Sequence, residues 1–117
     1  NKALQVNQFL KTLESFREDE TLFALLEENV NKWRNGLMKR LRENCSTRVM
    51  EKPLFKEEDF RILMLSYAGI QDRTIAFLLG MTYSAVRTRK ARCRERLLRP
   101  DVKDGAYFVE AMASNMA

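Results

Sequence analysis

Two glycines that each follow an apolar stretch of helical spacing divide residues 57–98 into three predicted helices. Glycine readily adopts the left-handed backbone conformation that closes a helix, so Gly69 and Gly80 are predicted to end the first and second helices. Asp72 and Thr82 are predicted to cap the second and third helices, because their side-chain oxygens can accept hydrogen bonds from free backbone N–H groups. The predicted order is a helix, a tight turn, a short helix, a second tight turn and a long helix.

The chain has 117 residues, the size of one domain, and 45% of them are hydrophobic, which is enough for a modest core. Its apolar runs are too short to cross a bilayer, and no signal-peptide pattern opens the sequence. Because the chain begins at Asn1 without an initiating methionine, it is interpreted as a piece of a longer protein. We expect it in the cytoplasm, either free or as the cytoplasmic portion of a membrane-anchored protein.

Histidine is absent, and Cys45 and Cys93 are the two cysteines. This composition removes most side chains that hydrolases, transferases and zinc sites use, and two cysteines without histidine cannot complete a four-ligand zinc set. The acidic residues are spaced as surface charges, and no nucleophile is paired with a base. We therefore expect no enzyme activity, metal, cofactor or small-molecule site. Both cysteines are expected to be reduced, Cys93 in the core and Cys45 near a helix end.

The positive charge of the chain is concentrated in the last predicted helix. Residues 82–99 hold seven Lys or Arg against one Glu, a net charge of +6, whereas the whole chain has a net charge of +5. Such a surface attracts polyanions, of which nucleic-acid phosphate is the commonest, because each neutralised phosphate releases condensed counterions. The alternative is that these charged side chains form an ordinary solvent-exposed face of a helix and bind no partner.

Residues 3–42 carry apolar side chains at helical spacing and are predicted to form an amphipathic segment, either a helical hairpin or one long helix. The hairpin is favoured, because Asp19 can cap a second helix that begins near Glu20. The second apolar series steps by three or four residues and approaches a heptad repeat, which is typical of a helical pairing surface. It supplies a candidate dimer seam: Leu26, Val30, Trp33, Leu37 and Leu41.

The helical periodicity lapses around Pro53, which disfavours helical geometry at the residue before it. The predicted organisation is the amphipathic segment at 1–52, the three-helix unit at 53–99 and a tail at 100–117. An apolar patch in the tail, at Tyr107, Phe108 and Val109, is a candidate short helix that docks on the core or on a partner.

Eight residues of the three-helix unit occur in a specific order, namely an apolar helix, a glycine, a second helix with an Ile-Ala pair, a Leu-Gly pair, a hydroxyl cap and a valine: Leu63, Gly69, Ile75, Ala76, Leu79, Gly80, Thr82 and Val86. In this register residues 55–97 resemble the LuxR-type helix-turn-helix domain, which is related in pattern to region 4 of bacterial sigma factors. The resemblance implies an all-α fold in which the amphipathic segment precedes a helix-turn-helix bundle.

Four residues depart from the family's pattern at positions that usually hold a Ser or Thr cap, a Glu, a Ser or Thr and an aliphatic residue, in that order: Lys56, Asp59, Gln71 and Lys90. The first three weaken helix capping only. Lys90 is expected to bury its methylene stem while its ammonium reaches solvent. Phe77 and Leu78 replace polar residues, which predicts contact with the amino-terminal helices or with another subunit.

The resemblance implies that the helix from Thr82 to Leu98 enters the major groove of double-stranded DNA. With Val86, Cys93 and Leu97 inward, the outward residues are candidate base contacts: Arg87 and Thr88 first, then Ser84 and Ala91. Candidate phosphate contacts lie on this helix and at the start of the helix before it: Arg73, Thr74, Thr82, Tyr83, Arg89, Lys90, Arg92 and Arg94. Because one such helix rarely binds tightly alone, a homodimer on two half-sites is expected.

The function predicted is sequence-specific DNA binding by the effector domain of a bacterial transcriptional regulator, with a contact to RNA polymerase as a further expectation. The resemblance also implies an upstream context, because similar basic ends preceded by an amphipathic segment occur in membrane-bound regulators with repeat-rich sensor domains. The alternative is a sigma-like or adaptor module whose basic helix binds an acidic protein partner.

Overall fold

All regular secondary structure in residues 1–46 and 51–113, which the computed structural model describes, is helical. This part of the chain forms seven helices: α1 (Lys2–Glu18), α2 (Glu20–Trp33), α3 (Leu37–Asn44), α4 (Glu57–Tyr67), α5 (Asp72–Leu79), α6 (Tyr83–Leu97) and α7 (Gly105–Ala113). The predicted all-α class is confirmed. Helices α4, α5 and α6 are the three that the glycine pattern predicts, and α7 lies in the predicted tail.

The ends of several helices follow local signals in the sequence. The Asp19 carboxylate accepts a hydrogen bond of 2.9 Å from a backbone N–H in the first turn of α2, which confirms the predicted cap. The Thr82 hydroxyl accepts one of 3.0 Å from the N–H of Ala85 at the start of α6. Gly69 and Gly80 have positive φ angles of 87° and 68° and follow the ends of α4 and α5 as predicted.

The amino-terminal segment forms three helices, so the predicted hairpin or single long helix is wrong in number. The additional break comes at Asn35 and Gly36, whose φ angles of 55° and 72° lie in the left-handed region. Both lie in the three-residue connection, 34–36, that separates α2 from α3. Asn-Gly is a strong turn signal, and it outweighs the apolar spacing that continues through it.

The predicted dimer seam is also wrong for most of its residues, because they fill the core of the single chain. Val30, Leu37 and Leu41 are at most 2% exposed, and Leu26 is partly buried against the same core. Trp33, at the end of α2, is 67% exposed and points away from this core. The turn between α2 and α3 changes the direction of the chain, so the residues of the predicted dimer seam do not lie on one exposed surface.

Helix α4 is the central element of the core. Its residues 62–67 are all buried, and it packs against α2, α5, α6 and α7. The apolar core is continuous from α2 to α7, so α2 and α3 share it with the three-helix unit across Pro53. Because several helices cover α4, it has apolar residues on more than one face, which is typical of a central core helix.

Helix α7 docks on the core next to the carboxyl end of α6. The Tyr67 hydroxyl donates a hydrogen bond of 3.1 Å to the carbonyl oxygen of Phe108. Burial raises the pKa of this hydroxyl. The Phe108 side chain is fully buried. A Cβ at Gly105 would overlap the main-chain carbonyl of Leu97, so glycine allows α7 to begin directly against α6.

Helix α1 lies against the carboxyl end of α5. The Arg17 guanidinium donates hydrogen bonds to the carbonyl oxygens of Phe77, at 2.8 Å, and Leu78, at 3.2 Å. The Phe9 and Phe77 rings stack with centroids 6.5 Å apart. The predicted contact of Phe77 and Leu78 with the amino-terminal helices is therefore confirmed.

Both cysteines are free and buried, Cys93 in α6 and Cys45 at the end of α3, as predicted. Burial raises the pKa of the Cys45 thiol to about 11 and that of Cys93 to about 12. Both thiols are therefore protonated near neutral pH and behave as small apolar side chains.

Replacing Leu41 with alanine is expected to lower the free energy of unfolding by about 2–5 kcal/mol, because it leaves a cavity in the core. The same change at exposed Trp33 is expected to alter this free energy by less than about 0.5 kcal/mol. Urea denaturation followed by circular dichroism measures both values. Equal losses for the two variants, together with a free energy of unfolding that falls on dilution of the protein, would contradict this assignment. They would show that the predicted dimer seam is buried between subunits.

Candidate nucleic-acid interface

One side of α6 is exposed and carries the four predicted base-contacting residues. They are all exposed and lie at helical steps of three, one and three, which places them on one face: Ser84, Arg87, Thr88 and Ala91. We call these four residues the α6 outer face. The opposite side consists of the buried residues of the helix: Val86, Lys90, Cys93 and Leu97. The predicted inward positions of Val86, Cys93 and Leu97 are confirmed.

The α6 outer face combines side chains that suit contact with the edges of bases. Ser84 and Thr88 supply hydroxyls, which both donate and accept hydrogen bonds. Ala91 supplies a methyl group, and Arg87 supplies a planar guanidinium with several donors. Three of the four side chains are small, so the helix axis can approach another surface closely.

Exposed arginines accompany this face. Arg92 and Arg94 are exposed, and neither forms a salt bridge with any other residue of the described ranges. Arg99, beyond the end of α6, is paired with Asp101 at 2.7 Å. The uncompensated positive charge around the outer face therefore comes from Arg87, Arg92 and Arg94.

Tyr83 brings an arginine of α5 next to an arginine of α6. The guanidinium carbons of Arg73 and Arg87 lie 4.3 Å and 5.6 Å from the centroid of its ring. Both distances are within the range of a cation–π interaction. The sequence places these residues near two helix starts but does not predict that one exposed ring contacts both guanidiniums.

The two remaining predicted phosphate contacts of this region are positioned by helix starts. Thr74 is exposed in the first turn of α5, where backbone N–H groups have no partner within the helix. Thr82 is exposed, and its hydroxyl accepts the capping hydrogen bond of α6 while keeping its own proton to donate. Both hydroxyls are therefore accessible to an anion.

Arg89 does not have a free guanidinium, which contradicts its prediction as a phosphate contact. Its Nε and Nη2 donate to Asp59 Oδ1 at 3.0 Å and 2.8 Å, and its Nη1 donates to Glu58 Oε1 at 2.7 Å. These acceptors raise the pKa of the Arg89 guanidinium. The acidic start of α4, predicted only to suit the helix dipole, thus also neutralises a cation of α6.

Lys90 is likewise unavailable to phosphate. It is 6% exposed, and its Nζ donates a hydrogen bond of 2.7 Å to Asp72 Oδ1. The methylene stem is buried as predicted, but the ammonium contacts Asp72 and does not reach bulk solvent. Asp72 is correspondingly not the cap of α5: the N-cap is Gln71, which makes no side-chain capping bond.

The sequence contains a signal for this second pair that its interpretation missed. Lys90 stands at a position where the family has an aliphatic core residue, and a cation there requires an acid nearby. Asp72 is an acid at the start of the preceding helix. Their separation of 18 residues along the chain means that the pairing depends on how α5 and α6 pack.

A groove of about 570 Å³ lies between α2 and α4. Arg42 lines this groove and forms salt bridges of 2.7 Å to Glu27 and 2.8 Å to Glu57. Its guanidinium lowers the pKa of the Glu57 carboxyl through these contacts. Within residues 1–46 and 51–113, no group of three His, Cys, Asp or Glu side chains is arranged to hold a metal ion. No helix in these ranges has both the length and the apolar character of a membrane span.

Comparison with known proteins gives no relative, since no protein-family model, curated protein or solved structure matches the chain. The likeness of residues 55–97 to LuxR-type domains therefore stays a prediction from the sequence.

Replacing Asp72 with asparagine is expected to lower the free energy of unfolding by about 1–3 kcal/mol, because it leaves a buried ammonium without its charged partner. In a Lys90→Met background the same replacement is expected to cost less than about 0.5 kcal/mol. Urea denaturation of the four proteins of this double-mutant cycle measures the coupling. An equal cost in both backgrounds would show that the pair does not stabilise the packing of α5 on α6.

Proposed function

We propose that this chain binds double-stranded DNA through the α6 outer face, as the effector domain of a bacterial transcriptional regulator. The observation that carries the proposal is the exposed face of small side chains and one guanidinium, accompanied by unpaired arginines. Major-groove recognition requires a helix that can approach base edges closely while cations contact the phosphates. The three exposed arginines of α6 that form no salt bridge within the described residues, Arg87, Arg92 and Arg94, support a polyanion as the ligand.

In this proposal α5, the turn at Gly80 and α6 act as a helix-turn-helix, with α6 in the major groove. Arg87 forms a bidentate pair with guanine, and Thr88 and Ser84 donate to or accept from base edges. The methyl group of Ala91 contacts the methyl group of thymine. These are the roles that exposed side chains of these types perform most often in a major groove.

Phosphate binding is assigned to groups that have no partner within the described chain or can still donate. Arg92 and Arg94 supply salt bridges from α6, and Arg73, held against Tyr83, supplies one from α5. Thr74 and the free N–H groups at the start of α5 add hydrogen bonds, as helix starts do for many phosphates. Arg89 and Lys90 are left out, because Asp59 and Asp72 hold them.

The biological setting is proposed from the same chemistry. A DNA-binding effector domain works in the compartment of the chromosome, so we place it in the cytoplasm, with RNA polymerase as a further partner. One α6 outer face covers a short stretch of groove, and two copies on two half-sites supply the affinity that a single helix lacks.

Binding to a random-sequence duplex is expected to weaken steeply with salt, since each phosphate contact contributes about 0.9 to the slope of log K against log salt. Replacing Arg92 or Arg94 with alanine is expected to reduce this slope by about 1. The Lys90→Met variant is expected to keep the slope, and so is Lys32→Ala, a charge-matched control on α2. Fluorescence anisotropy with a labelled duplex at several salt concentrations measures all four.

Absence of duplex binding at low salt would contradict this proposal. Salt-sensitive binding to an acidic protein would then favour the alternative of a sigma-like or adaptor module, because the same arginines attract carboxylates. An equal slope loss for Lys90→Met and Arg94→Ala would instead contradict the assignment of Lys90 to Asp72.

Replacing Arg87 with alanine is expected to cost about 1–3 kcal/mol on a duplex selected for tight binding and to relax specificity at one base pair. Arg87→Lys is the matched control, because it keeps the charge but loses the planar fork of donors. Competition between the selected and random duplexes measures the specificity ratio. Equal losses on both duplexes would show that Arg87 contacts phosphate only.

A further inference from the structure

Three side chains of α1 and one of α5 form an exposed apolar patch: Val6, Phe9, Leu10 and Phe77. They are 55%, 56%, 47% and 54% exposed, although the Phe9 and Phe77 rings stack on each other. Val6, Phe9 and Leu10 lie at steps of three and one residues, so they share one face of α1. We call these four residues the α1–α5 patch.

Helix α1 contacts little of the chain along its amino-terminal half. None of its residues is buried, and its firm attachment is at the carboxyl end, through Arg17. A helix of 17 residues is marginal in water on its own, and most helical stability in proteins comes from packing of an apolar face. The first turns of α1 therefore present an exposed apolar face, on which the Phe9 ring stacks with Phe77.

We propose that the α1–α5 patch is the surface through which two copies of this chain form a homodimer. The patch contains no ionisable side chain. A two-fold interface sets the same surface against itself, so charged patches repel their copies whereas an uncharged apolar patch does not.

The area of the patch agrees with a dimer interface. Four large side chains that are about half exposed present on the order of 350–400 Å² of apolar surface per copy, similar to the largest patches of soluble proteins, which are often functional. Two copies set together would bury on the order of 700–800 Å² of apolar surface in total, which is the size class of weak, concentration-dependent interfaces. Gln5 and Thr12, beside the patch on α1, add uncharged polar groups at its edge.

This surface replaces the seam predicted at residues 26–41, most of which is core. The inference rests on the proposed function in one respect, since two half-sites give the dimer its use. Its test contains no DNA, so either proposal can fail alone.

The experiment is sedimentation velocity of the 117-residue chain over a concentration series from micromolar to millimolar. We expect a monomer–dimer equilibrium that persists at salt concentrations that abolish duplex binding, because apolar contacts are not screened. Phe9→Glu and Phe77→Glu, on separate helices, are each expected to raise the dimer dissociation constant by about 100-fold or more.

Trp33→Glu is the matched control, since it adds the same charge at an exposed aromatic residue outside the patch. It is expected to leave the dissociation constant within about threefold. Thermal unfolding of each variant under monomeric conditions checks that the core is intact. A monomer at every concentration would overturn the inference, and so would a dimer that Trp33→Glu disrupts as strongly as Phe9→Glu.

Discussion

Two ion pairs made by neighbouring residues of α6 fix the orientation of the helix on which the candidate interface depends. Arg89 contacts Asp59 at the start of α4, and Lys90 contacts Asp72 at the start of α5. Rotation of α6 about its axis would lengthen at least one of these contacts, because their partners lie on different helices. Apolar burial is non-directional and does not select one rotation so sharply, whereas a charge-assisted hydrogen bond requires a defined donor and acceptor.

These pairs also divide the cations of α6 into two groups with different roles. Arg89 and Lys90 face acids at helix starts, where the carboxylates are favoured by the helix dipole as well as by the cation, and Arg96 Nη1 lies 3.7 Å from Asp59 Oδ2. Arg87, Arg92 and Arg94 remain exposed. The high positive charge of the helix is therefore compensated on its protein side and uncompensated on its solvent side, which is the asymmetry that the proposed contact with DNA requires.

The sequence predicts features that depend on neighbours along the chain and misses those that depend on packing. The cap at Asp19, the hydroxyl cap at Thr82 and the turn at Gly80 are determined within a few residues, and all three are confirmed. The exposure of the α6 outer face follows from the inward residues of the same helix. The bonds of Arg89 and Lys90 join residues 18 to 31 positions apart, so helical spacing could not predict them. The turn at Asn35 is not predicted for a different reason: the apolar repeat continues across Asn35 and Gly36 and hides the local Asn-Gly turn signal.

The close approach of α7 to α6 limits the length of the helix that is proposed to enter the groove. Because Gly105 lies against the carbonyl of Leu97, α7 occupies the space next to the last turn of α6. The 15 residues of α6 span about 22 Å at 1.5 Å per residue. With a rise of about 3.4 Å per base pair, one copy can follow at most about six base pairs of groove. In the proposed function, one copy therefore recognises at most about six base pairs, and a longer operator requires further copies.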